Sequence, residues 1–436
     1  MVDAIDTLAP IALRPVNQND SVERYAFERE AEHLWAMDET DDALKRLKER
    51  TSPMASDNLR RWRLWLPRVA DHFGYDHPAT LMSRSHIAHW TSHSGAPSTA
   101  LRLFSDLLVD CKRLLGLDAP ALLTIRGNMA SCIGRSGDAS AALALFAQLL
   151  PDMERALGEE HPETLATRHN RSNWTAWNRD HLGALAHLQT PLPDLERVFG
   201  RNHPRTLTAR NDIANWTGCS GDAKRAAELS LALLGDREHV LGPDHPDTLE
   251  SRHNFACWSG NSGDTTEALR LLNDLLPSRE RMIGRDHPDT LITRSKIADF
   301  TGVCGDAGEA LRLVKELLLD RVRVLGANHR DTLTTRQQIV YWMSASGHDK
   351  EARPLSEALL ADRLHLLGRD HPDTLNTRLQ TAALLSSCGD TPKALRHLKA
   401  LIPDQKRVLG PNDPETRKTR LLIQLLSWQL QSRIAA

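Results

Sequence analysis

The segment LGPDHPDTLESR, residues 241–252, returns along nearly the whole 436-residue chain at a fixed step of 42 residues. Its His-Pro centre stands at His77-Pro78, His161-Pro162, His203-Pro204, His245-Pro246, His287-Pro288 and His371-Pro372. Weaker copies fall at Ala119-Pro120, His329-Arg330 and Asp413-Pro414. None of the nine copies carries an insertion or deletion, and seven residues after the His position there is always an arginine, from Arg84 and Arg126 to Arg378 and Arg420. A period of this length marks a repeat array, in which each copy buries its apolar face only against its neighbours. The ordinary expectation of about two or three domains for such a length gives way to one quasi-linear array.

One copy shows what each repeat folds into. Gly242 follows an apolar helix end and suits the left-handed position after a C-cap. Asp244 or His245 then caps a new helix, Pro246 falls in its first turn where a missing N–H costs nothing, and Asp247 faces the positive end of the helix dipole. Apolar residues at Leu249, Phe255, Ala256 and Trp258 follow helical spacing. Gly263-Asp264 ends this helix and starts a second one, which buries Ala268, Leu271, Leu272, Leu275 and Leu276 before Gly284 stops it. The turn glycine recurs except at Arg179, the stop glycine recurs from Gly74 and Gly116 to Gly410, and the second helix always carries an alanine, from Ala100 to Ala394. The fold class is therefore all-α, a solenoid of antiparallel helix pairs. Residues 1–20 read as a flexible tail and 21–74 as a degenerate helical cap, with Ser21 a plausible N-cap and Tyr25, Phe27, Leu34 and Trp35 an imperfect apolar face. Eight repeats span 75–410, and a capping helix fills 411–436.

Composition narrows the function. Lys+Arg number 55 against 57 Asp+Glu, a net charge of −2, which offers nothing to nucleic acid or an anionic membrane. The cysteines Cys111, Cys132, Cys219, Cys257, Cys304 and Cys388 form no CxxC and no metal-ligand spacing. No basic-then-apolar leader opens the chain and no stretch is apolar enough to span a bilayer, so the expected location is cytoplasmic. Phosphate-binding, nucleophile-elbow and zinc-protease motifs are absent, and neither an enzyme nor a cofactor is expected.

A small residue in the first helix (Ala88, Ala130, Ala214, Ala256, Ala298, Ala382), an alanine twelve residues on and a large apolar residue four further (Phe104, Phe146, Leu272) resemble the tetratricopeptide repeat. The 42-residue form with LGPDHPDT resembles the repeats of kinesin light chain, and Trp216-Thr217-Gly218 with Phe300-Thr301-Gly302 resembles actinobacterial arrays. The resemblance covers about residues 57–431 and implies a right-handed superhelix whose first helices line a groove. By that register, the third to fifth repeats direct into the groove His169, Asn170, Asn173 and Trp177; Asn211, Asp212 and Asn215; and His253, Asn254, Cys257 and Asn261. Amides both donate and accept, so this cluster suits an extended peptide or protein segment whatever its sequence. A merely solvated polar face is the alternative.

Other columns carry competing readings. Trp90, Trp174, Trp216, Trp258, Phe300 and Trp342 serve inter-helix packing or, less simply, a stacking platform. Gly134, Ala176, Gly218, Gly260 and Gly302 would keep the groove floor low. The arginine column would bridge carbonyls or acids of adjacent repeats, such as Asp110, Asp152, Asp194, Asp236, Asp320, Asp362 and Asp404, rather than form an anion stripe. The histidines of the His-Pro centres stand too far apart to share a metal and read as helix caps. Residues 421–430 carry more apolar side chains than one buried stripe needs, which points to a contact site and possible self-association. The expected function is a non-enzymatic peptide- or protein-binding scaffold; the alternatives are a peptide-sensing regulator and, less simply, an enzyme with a site in the groove, where His253, Asp212 and Cys257 could meet.

Overall fold

A computed structural model of the protein describes residues 21–52, 54–115, 119–178 and 180–435; the tail 1–20, Gly116, Arg179 and the Ser21 side chain lie outside what it describes. The chain divides into two compact units, Met1–Thr290 and Leu291–Ala436. The described residues form helices and no β-sheet. The first unit opens with α1 (Ser21–Ala36), a short α2 (Thr40–Glu49) and α3 (Ala55–Phe73). Pairs follow as α4 (Pro78–His93) with α5 (Pro97–Leu115), then α6 (Pro120–Arg135) with α7 (Ala139–Leu157). The next pair is α8 (Pro162–Trp177) with a divided partner, α9 (His181–Gln189) and α10 (Leu192–Phe199). Then come α11 (Pro204–Cys219) with α12 (Ala223–Leu241), α13 (Pro246–Asn261) with α14 (Thr265–Ile283), and the start of α15 (Pro288–Val303). Within the second unit lie the rest of α15, α16 (Ala307–Leu325), α17 (Arg330–Ala345), α18 (Asp349–Leu367), α19 (Pro372–Ser387), α20 (Thr391–Val408) and α21 (Pro414–Ala435). No described helix is long and apolar enough to cross a membrane.

The punctuation of the sequence is the punctuation of the fold. His77, His161, His203, His245, His287, His329 and His371 each accept, through Nδ1, the backbone N–H two residues on at 3.1–3.2 Å. At the second helix the same task falls to aspartate, as where Asp222 accepts from the Arg225 N–H at 2.9 Å. A cap of this kind contributes about 1 kcal/mol. Gly242 closes α12 at φ 88°, ψ 163°, which is not the left-handed helical position expected for it but a region open almost to glycine alone. That conformation explains why no asparagine substitutes in the column. The break between α9 and α10 comes from Pro191 and Pro193, which remove two backbone donors in succession; Pro67, Pro151 and Pro277, each alone, leave their helices continuous.

The interior admits one residue type that the apolar pattern did not anticipate, and two expected leucines lie at its edge. In α14 the buried stripe is Ala268, Leu272, Leu275 and Arg279, while Leu271 and Leu276 are half-buried. Its counterparts Arg237, Arg321 and Arg363 are at most 3% exposed, and lie where earlier repeats carry Cys111, Met153 and Leu195. Each guanidinium reaches into the next helix: Arg321 donates to the Asp331 carbonyl at 2.9 Å and to Thr335 Oγ1 at 2.6 Å, and Arg363 to the Asp373 carbonyl at 3.0 Å and Thr377 Oγ1 at 2.6 Å. Burial lowers the pKa of Arg279, Arg321 and Arg363, although neighbouring carboxylates oppose the shift.

The other arginine column lies nearer the surface and meets acids. Arg84, Arg126, Arg210, Arg294, Arg336 and Arg378 pair with Asp110, Asp152, Asp236, Asp320, Asp362 and Asp404 at 2.6–2.8 Å, each inside its own helix pair. Only Arg168 and Arg252 reach back to the preceding pair, to Glu154 and Glu238. Arg420 instead donates to the Pro411 carbonyl at 2.8 Å.

The tryptophans pack between repeats. A Cβ on Gly134 would lie 2.6 Å from the Trp174 indole, one on Gly218 2.4 Å from Trp258, and one on Gly302 2.2 Å from Trp342. These glycines are notches for the next repeat's indole; they do not hold open a groove floor. In α1, Phe27 is buried but Tyr25 is exposed. At the other end, Leu426 is buried in the last core while Leu421, Leu425 and Trp428 are 65%, 53% and 66% exposed.

Two stability predictions follow from this packing. Gly218→Ala should destabilise the first unit by roughly 1–3 kcal/mol through overpacking, outweighing alanine's better helix propensity; an unchanged denaturation midpoint would show that the indole moves freely. Arg321→Met should cost clearly less than Arg321→Ala, for which roughly 2–5 kcal/mol is the usual penalty of a large core truncation, because Met153 occupies the same column. Equal losses in urea unfolding would mean that the guanidinium bonds, not the filled volume, hold that slot.

Candidate functional site

The site is built on the first helices of the pairs in the N-terminal unit. There α4 touches α6, α6 touches α8, α8 touches α11 and α11 touches α13, whereas successive second helices do not meet to the same extent. The first helices thus crowd together on the inner side of this unit. Small residues set the approach: Ala88, Ala130, Ala214 and Ala256 are at most 1% exposed, and Ser172, which replaces alanine in α8, sends its hydroxyl to the Ala184 carbonyl at 2.6 Å.

Six of the polar side chains expected in the groove bond across repeats at a separation of 43 residues, four of them with one another and two with indoles. His169 Nε2 meets Asp212 Oδ2 at 2.5 Å. Asn254 Nδ2 donates to Asn211 Oδ1 at 3.0 Å. Trp216 Nε1 donates to Asn173 Oδ1 at 3.4 Å, and Trp258 Nε1 to Asn215 Oδ1 at 3.0 Å. The indole N–H therefore fixes the flip of Asn173 and Asn215, with the carbonyl oxygen on the indole side of each amide. Within α13, Cys257 Sγ lies 3.4 Å from His253 Nε2. Asn211 and His253 are buried; Asn170, Trp177 and Asn261 are exposed. Trp177 sits against Trp174 with ring centroids 6.2 Å apart, and Asn261 ends α13 outside the ladder.

Subtracting 42 from each column shows residues that the sequence reading left out. The column of Asn170, Asp212 and Asn254 continues back through Asn128 to His86, that of Asn173 and Asn215 through Ser131 to His89, and that of Trp177 and Asn261 through Arg135 to His93. Of these earlier members, His89, His93, Asn128, Ser131 and Arg135 line a cavity of about 350 Å³ between α4, α6, α8 and α11. Asn128, Ser131, Arg135, His93, His169 and Asn170 line it. Only His169 and Asn170 of the expected site residues belong to it.

The Tetratricopeptide repeat family matches residues 206–247, 248–289 and 332–373. The chain carries tetratricopeptide repeats. No curated protein matches it. Among solved structures, the apo form of the quorum sensor NprR from B. thuringiensis is 12% identical, with a TM-score of 0.53 over 80% of this chain and 97% of that one. The Rap conjugation gene regulator of plasmid pLS20, in complex with the Phr* peptide, is 12% identical with a TM-score of 0.53 over 82% and 96%. A Podosopora anserina putative kinesin light chain with nearly identical TPR-like repeats is 22% identical, with a TM-score of 0.40 over 47% and 97%. The first two share the fold of the array.

In the tetratricopeptide register, α4 is unusual for its histidines. His86 stacks on Trp62 at 4.4 Å and 4°, and its Nε2 is buried without a partner. Burial, reinforced by Lys48, pushes its pKa down to about 3. His89 is held well below the ordinary value by burial and by His93, His86 and Arg135. His93 stands at the rim, part of its ring open to solvent; loss of hydration and the Arg135 guanidinium take it to about 4.

These shifts set a sign for the pH dependence. A folded state that keeps His86 neutral binds fewer protons than the unfolded chain once pH drops below the ordinary value of 6.5. Stability should therefore be full above that pH and fall progressively as pH approaches 3. Between pH 7 and 5, where most carboxylates stay ionised, His86→Phe should flatten the decline of the denaturation midpoint. A slope identical to that of the wild type would place the titration elsewhere.

Proposed function

We propose that the protein is a non-enzymatic scaffold that holds an extended peptide or protein segment along the inner face of its N-terminal unit. The observation that carries this reading is the fixed orientation of Asn173 and Asn215. Each gives its carbonyl oxygen to the neighbouring indole, which leaves Nδ2 as a donor for a ligand's backbone carbonyl. Such donors are indifferent to side-chain identity, so affinity comes from the main chain and selectivity from what flanks it. Asn170 and Trp177, both exposed, supply a further amide and an aromatic surface beside them.

A second reading, a peptide-sensing regulator, draws on the fold relatives, one described as a quorum sensor and one in complex with a peptide. A sensor would change its helix arrangement on binding, and a scaffold would not. The exposed Leu421, Leu425 and Trp428 offer a separate place for self-association.

Asn173→Asp/Asn215→Asp tests the groove directly, because aspartate keeps the acceptor for each indole and removes the amide donors. Partners captured from a lysate of the source cells by wild-type protein should be lost by this variant, with circular dichroism unchanged. Retention of the same partners would move the site off the ladder, and failure of the wild type to capture anything would count against the scaffold.

A further inference from the structure

The first and last described helices carry charges of opposite sign that nothing in the chain matches. In the turn after α1 and the first turn of α2, Asp38, Glu39, Asp41 and Asp42 are exposed, and none forms an ion pair among the described residues. Met37 is exposed in the same turn, and Tyr25 is exposed further up α1. Between them runs a shallow hollow lined by Tyr25, Arg29, Glu32, His33 and Ala36, with the Tyr25 hydroxyl 3.2 Å from His33 Nε2. On α21, Arg417 and Lys418 are exposed and likewise without a carboxylate; the Arg417 Nε–H donates to the Asn412 carbonyl at 2.9 Å, which leaves its charge in place. Leu421, Leu425 and Trp428 follow them on an exposed side of the same helix, an apolar patch of the kind that marks a contact. The register shows how this face differs from that of α19, where Leu379 and Ala382 are buried with Leu395 and Leu398 of α20. One repeat on, the same positions are Leu421 and Gln424, both exposed. Gln424 replaces the small residue that lets a second helix come close, so the face suits a different partner from one more repeat of the same kind.

We propose that these two surfaces dock on each other between copies of the chain, the basic and apolar face of α21 on the acidic α1–α2 end of a second molecule. The contact is head-to-tail and joins two different patches. The helices run antiparallel, with Arg417 and Lys418 on the acidic turn and Leu421, Leu425 and Trp428 along the Tyr25–Ala36 side of α1. The lengths agree, since Lys418 to Trp428 spans about 15 Å of helix and Tyr25 to Ala36 about 16 Å. The charges agree as well. Residues 21–50 hold nine acids against six lysines and arginines, and residues 414–435 hold one acid against four, so the two ends attract and steer each other. A two-fold pairing of α21 with itself brings no carboxylate to Arg417 and Lys418, because Glu415 is that helix's only acid. The contact lies apart from the groove and goes beyond the scaffold reading.

Sedimentation velocity on the full chain, from about 1 to about 100 μM, reads the association directly. The wild type should associate with rising concentration, and more weakly at about 0.5 M than at about 0.05 M salt. Leu421→Glu/Leu425→Glu closes one face and Glu39→Lys/Asp42→Lys the other. Each should weaken association by about tenfold or more, with circular dichroism unchanged. Mixed together, the two variants retain one intact pair of faces and should form a dimer that neither forms alone, which also shows that both are folded. A wild type that stays monomeric across this range overturns the proposal, as does a mixture that stays monomeric. Association of Glu39→Lys/Asp42→Lys as strong as that of the wild type also overturns it, and assigns the contact to α21 pairing with itself.

Discussion

Two helices can lie against each other only as closely as the largest side chain on their contact line permits, and in this protein that side chain is a methyl group. Ala100, Ala142, Ala184, Ala226, Ala268, Ala310, Ala352 and Ala394 all have no exposed surface. Close approach brings the stop glycines, the histidine and aspartate caps and the buried stripes into the same relation in each pair. The α9–α10 break shows how firmly that relation is held. Pro191 and Pro193 divide the helix, yet Ala184 and Leu195 remain buried on either side of the gap and α11 starts in register at Pro204. The array absorbs a local defect because its spacing is enforced at the alanine, upstream of the break.

Much of this was legible in the chain alone. Helix starts and stops follow from His-Pro, Gly-Asp and the stop glycine, since each acts within a few residues of itself. The parts that were not legible are those in which a side chain answers to a neighbour one repeat away. Arginine in an apolar column reads as surface, so Arg237 and its successors escape a hydrophobic-pattern argument; only the carbonyl and hydroxyl of the next helix make them interior residues. The glycines beside the tryptophans read equally well as an open floor or a filled notch until the indole is placed. The cross-repeat pairing of the asparagines, and the flips of Asn173 and Asn215, depend on partners 43 residues distant. The cavity has no repeating signature, since the column that is Asn in α8 and α11 changes to Ser and His toward α4, and that of Trp177 to Arg and His.

Charge is arranged differently on the two kinds of surface. The arginine–aspartate pairs are partly exposed, with side-chain exposures such as 28% and 31% for Arg84 and Asp110, so each adds little stability, about 0–1 kcal/mol. Their regular placement does more to orient helices than to hold them. Against that background of matched charges, Arg135 stands apart: an exposed guanidinium at the rim of the cavity, held by a neutral imidazole. Neutral imidazole is also what the low pKa of His93 favours, so it accepts from Arg135 without cancelling that charge.

The fit between glycine and indole has a consequence for how such an array can be rearranged. Trp174, Trp258 and Trp342 each follow, by forty residues, a glycine that yields space to them, whereas Cys132, Leu384 and Leu426 follow Ser92, Ser344 and Ser386 at the same distance. At these six positions a large knob follows an empty socket and a smaller one a filled socket, whereas Trp216 follows the methyl group of Ala176. Copies that look interchangeable by period are not interchangeable by shape. Shuffling them, by unequal recombination or in the laboratory, would set an indole against a hydroxymethyl group at one junction and leave a void at another. The order of the repeats is recorded in their contacts as surely as their number is recorded in the period.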